Sequence, residues 1–355
     1  MKFTFHNKYI KAISCSIPKN KGFFDEEAKN YNFPLKKSML LKDVIGLNAH
    51  CVSLEDQYSS TFAISALKNI FEQQIISPNE LDVIVYVTQT PDFFIPQTSS
   101  ILHKALGLKE DILTFDLTFG CTGFVGGLFN AFFLLEHPSI NNVALITSDV
   151  LTKKVNKKDR NSYPIIGDGG AVTILSKDNS LKNQIFCINK IYTQNFEAVQ
   201  IPAGAFCIPS SPLTRIEKEE KDGNVRSMED FYMDGTSVFS FVQEYVPQTI
   251  DELLQYAKVN KEEILSFIFH QPNKFMLTKL ADKMNIPYSK MPSNIVENFG
   301  NGSSLTIPLN ICFNFSELFK KKIEKVCISG FGSGLGVNAI IADLPPIDFL
   351  NIQEI

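Results

Sequence analysis

An internal repeat is the feature that most constrains how this chain folds. Three pairs of segments carry it, in the same order in both halves: NELDVIVYV (79–87) with KEEILSFIFH (261–270), TFGCTG (118–123) with NFGNGS (298–303), and NVALITSDV (142–150) with KVCISGFGS (325–333). The outer pairs are offset by 183 residues and the middle pair by 180. Such regularity favours a duplicated fold over the coincidences that any α/β sequence produces. It predicts two halves around a pseudo-twofold axis, with Cys121 and Asn301 at equivalent helix N-termini that face one central site.

Strand-like and helix-like segments alternate along the whole chain, which is typical of the α/β class. Buried strands are predicted at 83–88, 143–148, 170–175, 265–269 and 326–329. Helices are predicted at 56–76, 98–107, 122–136, 237–257, 273–284 and 303–321. The most polar segment, 212–230, indicates an exposed loop or insertion, and no long flexible linker is predicted.

Composition excludes several classes of function. The net charge of −4 and the pI near 5.8 give no general attraction to nucleic acid or to an anionic membrane. The N-terminal residues lack the apolar core of a signal peptide, and no apolar run approaches a membrane span, so we expect a cytoplasmic protein. The seven cysteines are scattered without a Cys-x-x-Cys pair, and we therefore expect neither a disulfide framework nor a metal site.

Cys121 is the first candidate catalytic residue. It lies between Gly120 and Gly123, where a strand-like run meets a glycine-rich helical run. A thiol at a helix N-terminus is exposed to the positive end of the helix dipole, which is expected to lower its pKa toward the thiolate. A small buried thiol that fills a tight strand–helix junction explains the local sequence equally well.

His270, Asn301 and a glycine-rich turn are the possible partners of this thiol. His270 ends an apolar strand-like run, where α/β proteins often place functional residues, although an isolated histidine there is more often structural. Asn301 precedes a helical segment, where asparagine is most often an ordinary cap. The turn GFGSGLG at 330–336 can bring bare N–H groups close to a ligand, but no acidic residue completes a dinucleotide-binding fingerprint after it.

Six segments together resemble the β-ketoacyl-acyl carrier protein synthase III family of thiolase-fold condensing enzymes. They occur in the family's order and cover nearly the whole chain: DLTFGCTGF, SDVL, DRNSYPIIGDGGAVTIL, HQPN, NFGNGSSLTIPL and SGFGSGLG. The resemblance implies a layered α-β-α-β-α fold built from two thiolase-like halves, 1–178 and 179–355. It also favours the nucleophile over the structural thiol at Cys121, because the nucleophile and both partners now occur together.

The resemblance implies a catalytic role for each of these residues. Cys121 would be acylated by an acyl thioester, and malonyl-acyl carrier protein would then bind and lose carbon dioxide. His270 and Asn301 would donate hydrogen bonds to the thioester oxygen that gains negative charge. The backbone N–H groups of Cys121 and Ser333 would form the oxyanion hole for the condensation, with Ser333 where the family usually has glycine. No cofactor or metal is implied.

For substrates, the resemblance assigns Arg160, Ile95 and Phe331 to binding, with Ile95 in the segment that gates the acyl pocket of the partner subunit of a homodimer. The chain has no tryptophan, and 38–50 has no arginine, so the family's usual clamp on coenzyme A is weakened. We therefore expect the acyl donor to be bound to acyl carrier protein, or to coenzyme A through different contacts. Possible docking residues for the acidic carrier protein lie together on one predicted helix: Lys274, Lys279 and Lys283.

Two other functions remain open at this point. The acyl group on Cys121 could pass to an oxygen or nitrogen nucleophile, although the presence of both His270 and Asn301 favours carbon–carbon bond formation. A non-catalytic subunit that pairs with an active synthase is less consistent with the sequence, because such partners typically lose the nucleophile.

Overall fold

The computed structural model of the chain describes residues 1–221, 223–321 and 323–355. In chain order the strands are β1 (Lys2–His6), β2 (Lys8–Ile17), β3 (Lys21–Phe23), β4 (Ala49–Cys51), β5 (Val83–Val87), β6 (Leu113–Leu117), β7 (Asn142–Asp149), β8 (Gly169–Lys177), β9 (Gln184–Ile191), β10 (Val199–Gln200), β11 (Lys218–Glu219), β12 (Val225–Arg226), β13 (Tyr232–Met233), β14 (Ser266–Phe269), β15 (Glu324–Gly332), β16 (Gly336–Leu344) and β17 (Phe349–Glu354).

The helices lie in the segments between these strands, some singly and some in succession. The α-helices are α1 (Phe24–Glu27), α2 (Leu35–Ile45), α3 (Ser59–Glu72), α4 (Thr98–Leu106), α5 (Gly123–Leu135), α6 (Gly235–Ala257), α7 (Lys274–Met284), α8 (Ile295–Phe299), α9 (Thr306–Asn314) and α10 (Ser316–Phe319). Short 3₁₀ helices are Ala28–Asn30, Pro78–Glu80, Leu151–Lys154, Thr193–Ala198, Lys261–Glu263, Tyr288–Lys290 and Ser303–Leu305. None of the helices in the described ranges combines the length and apolarity needed to cross a membrane.

Two sheets organise the molecule, and their registers reproduce the repeat. One has the strand order β17-β2-β8-β7-β5-β6 and the other β1-β9-β16-β15-β14. β5 runs parallel to β7 with Val83 opposite Val143, and β14 runs parallel to β15 with Ser266 opposite Val326. Both partners in the second pair lie 183 residues after their counterparts (266 − 83 and 326 − 143). The offset found in the sequence is therefore also the structural offset of the paired strands.

The layers are helix, sheet, helix, sheet, helix, as the resemblance implied. α5 contacts β5 and β7 of one sheet and β15 and β16 of the other, while α9 contacts β2 and β14, so both helices lie between the sheets. α3 covers the outer face of the first sheet, and α6 covers the outer face of the second. α5, with the sequence GFVGGLFNAFFLL, is apolar on nearly all sides because both of its faces are buried. The α/β thiolase-like prediction is confirmed.

The terminal strands connect the two halves. β1 pairs with β9 in the second sheet, and β17 pairs with β2 in the first. Each terminal strand therefore lies in the sheet of the opposite half, and the proposed division at 178/179 does not coincide with the sheets at either terminus. The placement of that division between the remaining elements stays a prediction.

The predicted elements differ from the structure mainly at helix ends. The helix predicted at 56–76 is α3, Ser59–Glu72. The helix predicted at 303–321 is divided into a 3₁₀ turn, α9 and α10, because Phe315 leaves the helical conformation with φ −126° and ψ 7°. The polar segment 212–230 forms the short β11–β12 hairpin, and Asp222 within it lies outside the described residues.

Candidate active site

Cys121 lies one residue before the Thr122 cap of α5, close to the middle of the molecule. The glycines around it let α5 approach the first sheet more closely than other residues would allow. A Cβ on Gly123 would lie 2.6 Å from a methyl group of Val87, and a Cβ on Gly127 would lie 2.3 Å from a methyl group of Leu145. The glycine pattern around the cysteine therefore has a packing cause that is independent of catalysis.

The thiol of Cys121 faces the turn between β15 and β16. A Cβ on Gly332 would lie 3.0 Å from Cys121 Sγ, so only glycine fits there without displacing the sulfur. The sulfur is within hydrogen-bonding reach of the Ser333 backbone N–H and the Ser303 side chain. Burial raises the pKa of Cys121 to about 11, outweighing both hydrogen bonds. The expectation of a lowered thiol pKa is therefore wrong for the free protein.

His270 follows the last residue of β14 and is 2% exposed. Its backbone N–H donates to the Ser329 carbonyl at 2.8 Å, which extends the pairing of β14 with β15. Its Nδ1 lies 2.7 Å from the hydroxyl oxygen of Thr306. Burial lowers the pKa of His270 to about 3, so the imidazole is neutral at pH 7.

Asn301 lies in a backbone bridge between the two halves. Its N–H donates to the Ile165 carbonyl at 2.6 Å, and its carbonyl accepts from the Gly167 N–H at 3.1 Å. Gly300, with φ +80°, packs directly on Gly167, and a Cβ there would lie 2.8 Å from the Gly167 Cα. This contact explains why both NFGNG and GDGG contain glycine at the crossing point. The Asn301 Oδ1 accepts the Ser303 N–H at 2.9 Å, which leaves the side-chain NH₂ group as a donor.

These residues line one cavity of about 830 Å³. Its walls include four of the predicted catalytic and oxyanion positions: Cys121, His270, Asn301 and Ser333. Most of the remaining wall is apolar, contributed by α2, α6, α7 and the β13 region. Phe331 also lines the cavity, with its ring 5.7 Å from the His270 ring in an edge-to-face arrangement.

Arg160 lies on the same cavity, and its guanidinium stacks on Phe33 at 4.3 Å from the ring centroid. Its backbone N–H donates to Asn224 Oδ1 at 3.0 Å. Asn224 belongs to the 212–230 segment and is fully buried, and Arg226 of the same segment pairs with Asp159 at 2.8 Å. The segment predicted as an exposed loop is thus partly buried and forms one side of the cavity mouth.

The other predicted substrate and docking residues lie farther from the thiol. Ile95 is 86% exposed and does not line the Cys121 cavity of its own chain; it lies next to Phe94, whose ring packs 5.6 Å from Phe206. On α7, Lys274 lies 3.6 Å from Glu297 and Lys279 lies 4.0 Å from Asp282, while Lys283 is exposed in the last turn.

Two buried aspartates explain further parts of the sequence pattern. Asp149 of SDVL accepts hydrogen bonds from the Thr88 hydroxyl and from the N–H groups of Gln89 and Thr90. Asp168 of GDGG accepts from the backbone and hydroxyl of Ser53 at 2.9 and 2.7 Å. Burial raises the pKa of Asp149 to about 6 and also raises that of Asp168. Both carboxylates hold loops in place around the cavity.

Sequence reasoning missed three residues of this site: Gln89, Ser303 and Thr306. Gln89 and Ser303 line the cavity, and Thr306 contacts His270. They are common polar residues, and only Ser303 and Thr306 lie inside a recognised segment, NFGNGSSLTIPL, which was the available signal.

Comparison with known proteins places this fold in a defined group. A family model described as 3-oxoacyl-[acyl-carrier-protein] synthase III matches residues 115–191, and the model of its C-terminal part matches 254–344. A Clostridium perfringens β-ketoacyl-[acyl-carrier-protein] synthase III is 30% identical over 339 residues, covering 95% of this chain and 99% of the relative. A Campylobacter jejuni protein provisionally named 3-oxoacyl-[acyl-carrier-protein] synthase 3 is 30% identical over 353 residues, covering 99% of this chain and 98% of that protein.

Solved structures agree with these relatives. A crystal structure of a 3-oxoacyl-(acyl-carrier-protein) synthase III superposes with a TM-score of 0.89 at 28% identity, covering 95% of this chain and all (100%) of the other. A 3-oxoacyl-(acyl-carrier protein) synthase from Burkholderia xenovorans gives a TM-score of 0.92 at 24% identity, covering 100% and 99% of the two chains, which shows the shared fold. The protein is therefore a condensing enzyme of the thiolase fold, a type of transferase. Within that class, the chain belongs to the 3-oxoacyl-[acyl-carrier-protein] synthase III family.

Proposed function

We propose that the chain catalyses a decarboxylative Claisen condensation between an acyl group held on Cys121 and malonyl-acyl carrier protein, giving a 3-oxoacyl-acyl carrier protein. This reaction would start fatty acid synthesis or a specialised acyl pathway. The observation that carries the proposal is the convergence of Cys121, His270, Asn301 and Ser333 on one deep cavity. The reaction as proposed uses no metal or cofactor.

In the first half-reaction, the Cys121 sulfur attacks the carbonyl carbon of an acyl thioester. The bond to the donor sulfur breaks, the thiol proton leaves with the departing thiol, and an acyl-cysteine remains. The carbonyl oxygen gains negative charge during this step. Ser333 lines the cavity beside Cys121, so its backbone N–H and that of Cys121 itself are suited to bind that oxygen.

In the second half-reaction, malonyl-acyl carrier protein loses carbon dioxide, and the resulting carbanion attacks the acyl-cysteine. Cleavage of the carbon–sulfur bond releases the 3-oxoacyl product and Cys121 as a thiolate, which takes up a proton from solvent to regenerate the thiol. Negative charge develops on the malonyl thioester oxygen, where a neutral His270 and the Asn301 NH₂ group act as donors. The neutral imidazole must then carry its proton on Nε2, so the single Thr306 hydroxyl proton must turn from the Ser303 carbonyl, 3.0 Å away, to Nδ1 of His270.

The acyl donor is proposed to be acyl carrier protein rather than coenzyme A. Arg160 stacks on Phe33 within the chain itself, so the face of this guanidinium is already occupied by an aromatic ring. α7, which contributes Phe275 and Met276 to the cavity wall, also carries Lys274, a cation that suits an acidic carrier protein. Lys279 and Lys283 lie four residues apart on the same helix and so share one face of it.

The active form is proposed to be a homodimer. Among the strands in the described ranges, β6 is the outermost of the first sheet and pairs there with β5 alone. Apolar side chains are exposed around it: Leu113 at 48%, Phe93 at 60% and Phe94 at 71%. An unpaired, apolar strand edge favours pairing with another chain, and a second copy would also bring Ile95 to the neighbouring acyl pocket.

Intact-protein mass spectrometry tests the first half-reaction. The wild type and a Cys207→Ala control, which removes an exposed cysteine, are expected to gain one acyl group from acyl-carrier protein, whereas Cys121→Ala gains none. Efficient acylation by acetyl-coenzyme A at low micromolar concentration would contradict the proposed donor. The acylated enzyme is then given malonyl-acyl carrier protein. Release of carbon dioxide with a 3-oxoacyl product supports condensation, whereas transfer to an oxygen or nitrogen nucleophile without carbon dioxide refutes it.

A further inference from the structure

Ser303 has an unusual backbone for a serine in a protein core. It opens the 3₁₀ helix Ser303–Leu305 with φ +57°, a left-handed conformation that non-glycine residues seldom adopt. The described ranges contain five non-glycine residues with positive φ, and Ser303, at 3% exposure, is the one that is buried. Two of the others, Lys258 and Asn285, merely end exposed helix turns. Buried strain of this kind persists where the surroundings hold it, and it clusters at functional sites.

Ser303 is placed among the three predicted catalytic residues. Its N–H donates to Asn301 Oδ1 at 2.9 Å. Its carbonyl lies 3.0 Å from the hydroxyl oxygen of Thr306, which in turn lies 2.7 Å from Nδ1 of the His270 ring. Its side chain lines the same cavity as Cys121, and a contribution from this side chain opposes the rise in the pKa of the thiol. The left-handed backbone allows one residue to direct these three groups toward three different partners.

Gln89 determines which way a hydrogen bond between the Ser303 hydroxyl and the Cys121 sulfur would run. Gln89 Nε2 donates to Ser303 Oγ at 2.9 Å, so the oxygen already accepts a hydrogen bond and its own proton is available for Cys121. Gln89 is in turn held by Asp149, which accepts the Gln89 backbone N–H at 2.7 Å. The chain of contacts therefore runs from a buried carboxylate to the reacting sulfur.

We propose that Ser303 is a further catalytic residue: its hydroxyl donates a hydrogen bond to the Cys121 sulfur and stabilises the thiolate, while its backbone holds Asn301 and His270 in place beside that sulfur. No proton is transferred in this interaction. The proposal deepens the proposed function, because it concerns the same nucleophile, but it describes the free enzyme and is testable without any acyl substrate. A thiolate with few other hydrogen-bond donors is stabilised most by such a hydroxyl.

The test is the pH dependence of Cys121 alkylation by iodoacetamide in the full-length protein, with the modified residue identified by peptide mass spectrometry. Ser303→Gly removes the hydroxyl and keeps a residue suited to φ +57°. A hydrogen bond to an ionised group favours the ionised form by roughly tenfold to a hundredfold. Without this bond, alkylation of Cys121 at pH 8 should slow by a factor in that range, and the pH profile of the alkylation rate should move to higher pH. Ser303→Ala should show the same shift with a lower melting temperature, because alanine is strained at this φ.

Ser304→Ala is the matched control, since it removes an adjacent buried hydroxyl that bonds the Gly120 carbonyl instead of the sulfur. It should keep the wild-type alkylation profile. An unchanged profile in Ser303→Gly, or an equal shift in Ser304→Ala, overturns the proposal. These results are independent of acyl transfer. If Cys121 is alkylated more slowly in Ser303→Gly than in the wild type, but no thioester acylates the wild type, then the proposed function fails and the role of Ser303 stands.

Discussion

Replacing His270 by glutamine isolates the contribution of this imidazole to the pH dependence of stability. The pKa of His270 is lowered from 6.5 to about 3 in the folded protein because burial disfavours its charged form. Below pH 6.5 the unfolded chain binds a proton at this residue and the folded protein does not. Its contribution to the free energy of unfolding therefore falls as the pH falls from 6.5 toward 3.

The size of the effect follows from the same two values. At pH 5, which is 1.5 units below 6.5, the loss is about 2 kcal/mol at about 1.4 kcal/mol per unit, whereas at pH 7.5 it is close to zero. Urea unfolding of the wild type and His270→Gln is measured at both pH values and at one protein concentration. The free energy of unfolding of the wild type, measured relative to that of His270→Gln, should fall by about 2 kcal/mol on going from pH 7.5 to pH 5. A difference that is independent of pH refutes the assignment of a buried neutral imidazole, and with it the donor role.

Three other changes test separate parts of the site. Gly332→Ala places a Cβ 3.0 Å from Cys121 Sγ, so acylation measured by intact mass should be lost at a cost of about 1–3 kcal/mol in stability; full acylation would contradict the packing argument. Thr306→Val should leave Cys121 acylation intact but slow malonyl decarboxylation by up to roughly a hundredfold, because His270 loses the hydroxyl beside Nδ1; equal loss of both half-reactions would refute this division of roles. Phe94→Asp should convert the proposed dimer to a monomer in light scattering, and an unchanged mass would place the interface elsewhere.

The fold was accessible from the sequence because its signals are local and repeated. Val83 and Val143 lie in short apolar runs whose equivalents recur 183 residues later, and the paired registers keep that spacing. The exchange of β1 and β17 between sheets was not predicted, because strand partners so far apart in sequence leave no periodic signal. The polar composition of 212–230 predicted an exposed loop, but Asn224 of that segment is buried against Arg160. This contact joins residues 64 positions apart, and composition does not reveal it.

The sequence predicted which main residues line the candidate site, but it did not predict the direction of the pKa shift of Cys121. Cys121, His270 and Asn301 lie in segments with distinctive neighbours, and all three line the cavity. The direction of the Cys121 pKa shift was wrong because the helix dipole was weighed without burial, which depends on residues distant in sequence. Ser303 was missed because its importance lies in its φ angle and its hydrogen bonds with Gln89, Asn301 and Thr306, which a serine in a sequence does not reveal.

The site is assembled across the junction of the two halves, and this has a consequence for how mutations act. Asn301 belongs to the second half, but its backbone is bridged to Ile165 and Gly167 of the first. Cys121 is held between first-half strands and the turn that contains Gly332 of the second. A change at the Gly300–Gly167 contact would therefore shift Asn301 relative to Cys121 without touching either side chain. Because rates depend steeply on the positions of reacting groups, such a change should lower condensation more than it lowers acylation, which needs Cys121 but not Asn301.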